Sequence, residues 1–452
     1  MAPQAAKGDG IITPGSFDLK VLNLYTSTGT IIDLRSVVVG VSINSSIYRQ
    51  GISGSVTISE SLGMDQQFAI HGNEHIEIKF SVPSLEQEPL EYFAAVTGVE
   101  NRNMASQNKA QLYVLHFISL ELYKSNQTKI RKTYKNMLLT DMIETVFDNY
   151  LAIHKNKTLN VFDKSISAHS VTVPNLSPYD TINWLSAQAQ SGKYKRASNY
   201  YFFERPGEFI LSSLDELAGS SPNQFYLYSA VNIDPTTSKN IADVYRSLTA
   251  FRVVRELQSY SDVRSGIYSG SRLSYDPVLR KSKITTFDYF DSYDDFVHLN
   301  GKNRAGNLPK LTNNNDLGKK INSYIQMAPK HYGAWGGGVS STVTDEFALA
   351  HNSYKNQLGH NMGIKLQIEA HGDTRRKLGE VINIQIPSMA PVSDDKDVSH
   401  KYLSGNYLIV AISHNLTIGG VGKESVYITN MDIATDTFGE PFPDSQLSQP
   451  QS

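Results

Sequence analysis

The sequence predicts an α+β protein that is mostly β, with two β blocks flanking a mixed unit and an irregular stretch interrupting the second block. Three observations carry this reading. Short runs rich in β-branched and aromatic residues, separated by Gly, Asn, Ser and Pro, fill the chain to about residue 122. The spacing then turns helical between residues 136 and 192, and alternation returns after residue 244.

The first block holds strands over Lys20 to Leu24, Val37 to Val41, Gly54 to Ser59, Ile76 to Ser81, Tyr92 to Val99 and Leu112 to Ser119. "HIEIKFSV" is its clearest half-buried strand, because Ile76, Ile78, Phe80 and Val82 alternate with polar neighbours. Such spacing predicts a barrel or a sandwich. In "NMLLTDMIETVFDNYL", Leu139, Met142, Ile143, Val146 and Phe147 form one helical stripe. A second helix begins at "SPYDTINWLSAQAQSG": Ser177 can cap it, Pro178 suits the first helical position, Asp180 favours the positive end, and Gly192 is placed to end it. "YYFFER" and "GEFILSSL" follow as two strands joined through Pro206 and Gly207, so the helices are expected to pack on this hairpin.

Strand signals resume at "LTAFRVVREL", "GIYSGSRLSYD" and "SKITTFDYFD". Residues 291 to 343 are dense in Gly and Asn, and a helix is predicted from the capping pattern Thr342 to Asp345 as far as Gly359. Four strands close the series, in "GIKLQIEA", "VINIQIPS", "NYLIVAISHNL" and "ESVYITNMDI".

A chain of 452 residues, 40% hydrophobic, exceeds one ordinary core and predicts several domains. Lysine and arginine number 42 against 44 acids, for a net charge of −2, so no global basic field advertises nucleic-acid binding. The absence of cysteine excludes disulfides, thiolate zinc sites and cysteine nucleophiles. With no signal-like apolar region at the N-terminus and no run long enough to span a bilayer, the expectation is a soluble chain without membrane insertion.

The motifs that suggest chemistry are weak. "TIGGVGKES" places Gly422 and Lys423 as a phosphate loop would, but Glu424 stands where a Mg-binding hydroxyl belongs and Thr417 replaces the opening glycine. Gly333, Gly336 and Gly338 are in the wrong order for a dinucleotide fingerprint. His351, His360 and His371 are loosely grouped without a carboxylate at helical ligand spacing. The acid pairs Asp294 with Asp295 and Asp394 with Asp395 fall in polar loops. The expectation is therefore no catalytic residues, no metal and no cofactor. In "HGDTRRKLGEVINIQIPS" the charges Asp373, Arg375, Arg376 and Lys377 read as a solvated or subunit-facing hairpin turn. Gly379 supplies a positive φ there, and Ile382, Ile384 and Ile386 face one side of the next strand.

At the C-terminal sheet the order of motifs resembles the central hub proteins of contractile-tailed phage baseplates, of the T-even type, which are related to the VgrG-type spike hubs of type VI secretion. The likeness rests on the glycine-bearing turn at Gly372 and Gly379, the alternating strand ending at Pro387, and the series Gly405, Tyr407, Ile409 and His414. "IHGNEHIEIKFSVP" resembles the first-barrel segment of that family, and "NLSPYDTINWLSAQAQSGKYKRASNYYFFE" its middle domain.

The resemblance implies two tube-like antiparallel β-barrel domains around an α+β middle domain. The expected division is a flexible N-terminus at 1–15, the first barrel at 16–122 and the middle domain at 123–243. The second barrel takes 244–290 and 361–432, an insertion with loop and helix takes 291–360, and a disordered tail takes 433–452. It further implies a non-enzymatic homotrimer in the virion tail baseplate, assembled in the host cytoplasm, that adapts a sixfold tail tube to a threefold spike and forms part of the DNA exit channel. The implied partners are a separate trimeric OB-fold spike protein below and tail tube or tube-initiator proteins above. Tape-measure and baseplate wedge contacts are also implied, and DNA would pass without specific binding. The alternatives are a cell-wall-degrading tail enzyme and the hub of a type VI secretion or contractile injection system.

Overall fold

The computed structural model describes residues 15–439 apart from 229–243, 256–268, 302–324, 330–362, 389–398, 420–424 and gaps of four residues or fewer. The chain is α+β and mostly β, and its main sheet has 13 strands.

The first unit comprises β1 (Asp18–Tyr25), β2 (Ile31–Asp33), β3 (Val38–Ser46), β4 (Ser53–Glu60), β5 (His75–Ser81), β6 (Leu90–Ala105) and β7 (Ala110–Ser119). Their hydrogen-bonded order is β3-β4-β7-β6-β5-β1-β2. In β5 the alternation does what its period requires: Ile76, Ile78 and Phe80 are buried in one core with Leu22, Val56, Leu115 and Phe117, while Glu77 and Lys79 lie on the other face. Fully burying a side chain such as Phe80 contributes roughly 1.5–3 kcal/mol.

The middle unit runs through α1 (Leu120–Gln127), β8 (Thr133–Leu138), α2 (Leu139–Val146), a π turn at Phe147–Leu151, β9 (Thr158–Val161), β10 (Ala168–Thr172), α3 (Pro178–Ser186), β11 (Tyr200–Arg205), β12 (Glu208–Ser213) and α4 (Leu214–Ala218). The stripe Leu139, Met142, Ile143, Val146 and Phe147 is wholly buried. The Ser177 side chain accepts from the Asp180 N–H, with Pro178 at the start of α3. That helix ends at Ser186, short of Gly192, so the glycine is not its terminator. β11 and β12 pair antiparallel through Gly207, and β9 adds a parallel strand to β12. Every residue of β11 is buried because the hairpin is covered on both faces. Phe202, Phe209 and Leu211 meet the helices, whereas Tyr201, Phe203 and Ile210 join the core of the second barrel.

The rest of the chain forms β13 (Gln224–Tyr228), β14 (Ser247–Arg255), β15 (Ser269–Asp276), β16 (Lys281–Asp288), β17 (Ile325–Pro329), β18 (Ile364–His371), β19 (Val381–Gln385), β20 (Gly405–Thr417) and β21 (Val426–Thr435). Six of these close a barrel in the order β13-β14-β18-β21-β20-β19, with β19 also bonded to β13. The ring is antiparallel except at β13, which is parallel to both neighbours. β15, β16 and β17 make a separate three-stranded sheet.

Three boundaries expected from the sequence change. β13 belongs to the second barrel, although 224–228 falls in the range assigned to the middle unit; β15 and β16 leave that barrel. Phe296 and Leu299, expected at the start of the insertion, are buried in the barrel core. β21 continues to Thr435, and Asp436 and Thr437 are buried, so 433–437 is packed structure and not tail. The helix expected over 342–359 lies outside the described residues.

The two β units are one continuous sheet because β3 pairs with β20 from Ser46↔Ala411 to Gly40↔Thr417. Among the described residues the strands of the first unit do not close on one another; the side of β3 away from β4 is taken by the second barrel.

Candidate functional site

The segment between β18 and β19, residues 372–380, is where all three units meet. It is not a hairpin, since β14 and β13 stand between β18 and β19 in the barrel order. The connection crosses the ends of both strands, so its charges meet backbone groups at the barrel mouth and not only water.

Gly372 begins the crossing, and its N–H donates to the Tyr427 carbonyl at 2.8 Å. A Cβ at Gly372 would fall 1.9 Å from the Tyr427 ring, so no other residue fits without displacing that ring. Asp373, 1% exposed, accepts from Arg375 through both oxygens, at 3.0 Å from Nε and 2.7 Å from Nη2. It also accepts the Arg375 backbone N–H at 2.9 Å, which fixes the turn.

Arg376 corrects the expectation of a surface turn, being only 3% exposed. Its Nε donates to the Tyr226 hydroxyl at 2.7 Å, Nη1 to the His371 carbonyl at 2.6 Å and Nη2 to the Tyr245 carbonyl at 3.1 Å. The guanidinium also lies over the Tyr226 ring, 5.2 Å from its centroid. A planar fork of donors ties β13, β18 and the start of β14 together, a task that a lysine could not perform. Arg375 is half-buried and Lys377 exposed.

Beyond Gly372, Tyr427 on β21 projects into the core of the first unit beside Leu416 and Tyr245. Its ring meets Phe80 edge-on at 5.4 Å. Its hydroxyl lies 2.6 Å from His414 Nδ1. Burial, aided by the nearby Arg376 charge, lowers the His414 pKa to about 3, so this ring is neutral. At the far end, Gly379 has φ +76° and a Cβ there would come within 2.8 Å of Phe203; Arg205 Nε donates to the Leu378 carbonyl at 2.6 Å. The positive φ expected of Gly379 is present. Ile382, Ile384 and Ile386 are buried together as expected, and Val381 is buried as well.

Two other buried charge groups bind the units. Lys157 Nζ lies 2.7 Å from both Glu121 and Glu204, and Glu204 accepts the Ile52 N–H at 3.1 Å. Burial pushes the Glu204 pKa up. His298 places Nδ1 at 2.5 Å from Asp436 and Nε2 at 2.8 Å from the Tyr293 carbonyl. Acceptors on both ring nitrogens favour the doubly protonated imidazolium, which raises its pKa although burial opposes the charge. Nearby, Asp215 accepts the Val297 N–H at 2.9 Å, and burial raises its pKa to about 7.

Among the described residues, no three His, Asp or Glu side chains converge as a metal site. His351, His360, Asp394, Asp395, Gly422 to Glu424 and the glycines of 333–338 lie outside the described residues. His371 is brought against Arg376, whose Nη1 donates to its carbonyl, and Asp294 and Asp295 sit in a single helical turn at Tyr293–Asp295. Sequence reasoning missed the buried roles of Tyr226, Tyr245 and Tyr427. Only the alternation of "VYITNMDI" hinted that Tyr427 faces a core.

No family profile and no curated protein matches the chain. Solved structures do. A tail protein from Neisseria meningitidis MC58 aligns over 92% of this chain and 96% of its own, with TM-score 0.53 at 10% identity. The 43 kDa tail protein of prophage MuSo2 from Shewanella oneidensis aligns over 93% and 99%, with TM-score 0.54 at 9% identity. This chain has the fold of these tail proteins. The likeness in fold thus extends over all three units.

Proposed function

We propose that the protein is a structural hub of a phage tail baseplate. The observation that carries this is the end-to-end likeness to two tail proteins, which extends over both β units and the middle unit together. The pairing of β3 with β20 supports it, because two β units joined side by side in one sheet are what a tube-like ring needs from each subunit.

In this reading three chains form a ring of six β units that joins a sixfold tail tube above to a separate trimeric spike protein below. DNA leaves through the ring, and tape-measure and wedge proteins contact its faces. The hub of a type VI secretion or contractile injection system would use the same ring. Catalysis is not needed, since matching the two symmetries is itself the task.

The test is the solution mass. Multi-angle light scattering should give three times the 50.2 kDa chain, and negative-stain images should show rings with a central channel. A chain that stays monomeric at high concentration, alone and with tube and spike proteins, would refute the proposal.

A further inference from the structure

Beside the crossing segment lies a cleft of about 540 Å³, lined by residues that include Tyr226, Tyr245, Arg246, Thr374, Arg375 and Lys377. Its charges are unbalanced. Arg246, Arg375 and Lys377 line it against one carboxylate, Asp373, which is already engaged by Arg375. Arg246 and Lys377 are exposed, so both cations are free to turn toward a ligand. The Thr374 hydroxyl belongs to a side chain only 5% exposed and makes no hydrogen bond. A buried hydroxyl without a partner costs free energy, which a bound acceptor would relieve.

The wall of the cleft is also incomplete as a sheet. β19 pairs with β13 from Gln224 to Leu227, whereas β14 meets β13 only at Leu227 and Tyr228. Among the described residues, Gln224, Phe225 and Tyr226 therefore have no strand beside them on the β14 side, and all three line the cleft. Phe225, 57% exposed, adds an apolar surface at the rim.

We propose that this cleft binds an extended acidic segment of a partner protein, which lies along Gln224–Tyr226 in place of the missing strand and sets its carboxylates on Arg246, Arg375 and Lys377. Strand addition provides main-chain affinity, and the cations select acidic side chains. A peptide is favoured over nucleic acid because the cleft offers a strand edge and an apolar rim together with its charge. The inference does not rest on the hub reading, since it concerns one chain and needs no ring.

The experiment uses the full chain and a fluorescein-labelled peptide of alternating glutamate and valine, read by fluorescence anisotropy at low salt. The same peptide with lysine for glutamate, and an oligothymidylate of equal length, serve as comparisons. The glutamate peptide should bind, and the double variant Arg246→Glu with Lys377→Glu should weaken it by roughly tenfold or more with no change in melting temperature, because both side chains are exposed. Phe225→Ser should weaken it independently of salt. No binding, or binding that the charge reversal leaves unchanged, would overturn the proposal. Equal binding of oligothymidylate that the same variant abolishes would overturn the peptide reading in favour of a phosphate-binding cleft.

Discussion

Replacing Gly379 by alanine should destabilise the second barrel well beyond the cost of its backbone angle, and Gly29 provides the control. Both glycines have positive φ, +76° and +84°. A side chain in that region costs on the order of 1 kcal/mol at either position. They differ in what surrounds them. A Cβ at Gly29 meets nothing within 4 Å; at Gly379 it would lie 2.8 Å and 3.3 Å from two atoms of the Phe203 ring and 3.4 Å from Arg205 Nη2. Phe203 is fully buried between the hairpin and the barrel, so the ring cannot swing away freely. Such overpacking adds about 1–3 kcal/mol. Gly29→Ala should therefore cost about 1 kcal/mol and Gly379→Ala about 2–4 kcal/mol, with Gly379→Val falling further through its branched Cβ. In a unit of this size each kcal/mol lowers the melting temperature by about 2–4 °C. Thermal melts followed by far-ultraviolet circular dichroism would measure the difference. A Gly379→Ala midpoint no lower than that of Gly29→Ala would show that the contact with Phe203 yields and that the packing reasoning is wrong.

Arg376→Met should cost about 2–4 kcal/mol by leaving the His371 and Tyr245 carbonyls without their buried donor, and limited proteolysis should then cut the second barrel at the link between β18 and β19 sooner than in the native chain. Lys157→Met leaves Glu121 and Glu204 facing each other without a cation; the loss of stability seen at pH 7 should shrink at pH 5, because burial has already raised the Glu204 pKa and acid protonates it. Stability should also fall from acidic to alkaline pH at the His298 cluster. Asp215 binds its proton more tightly when folded, so its contribution is present below its ordinary value of 3.8 and is lost as pH rises through about 7. His298, whose folded pKa is raised above 6.5, contributes fully below that value and loses its contribution as pH rises through the folded one. Melts at pH 5 and pH 8 should show a smaller drop for Asp215→Asn than for the native chain, and an equal drop would refute the assignment.

Local patterns determined much of this protein. The alternation of Ile76, Ile78 and Phe80 places a strand face, the stripe from Leu139 to Phe147 places a helix face, and Ser177 with Pro178 sets a helix start, because each depends on neighbours within one turn or one pleat. The positive φ at Gly379 was legible for the same reason, a turn between two well-patterned strands. What the sequence left open depends on which strands become neighbours. "QFYLY" has the aromatic-rich composition of an ordinary strand, and nothing in it tells that β13 enters the barrel parallel to β14 and β19. Once it does, the link from β18 to β19 must cross two strand ends, and charges that would cap a hairpin in water become a buried clamp on carbonyls. Arg376 has the same sequence signature in either case. Its burial was decided by β13 and β14, residues more than a hundred positions away, because burial depends on long-range contacts that local periodicity cannot encode.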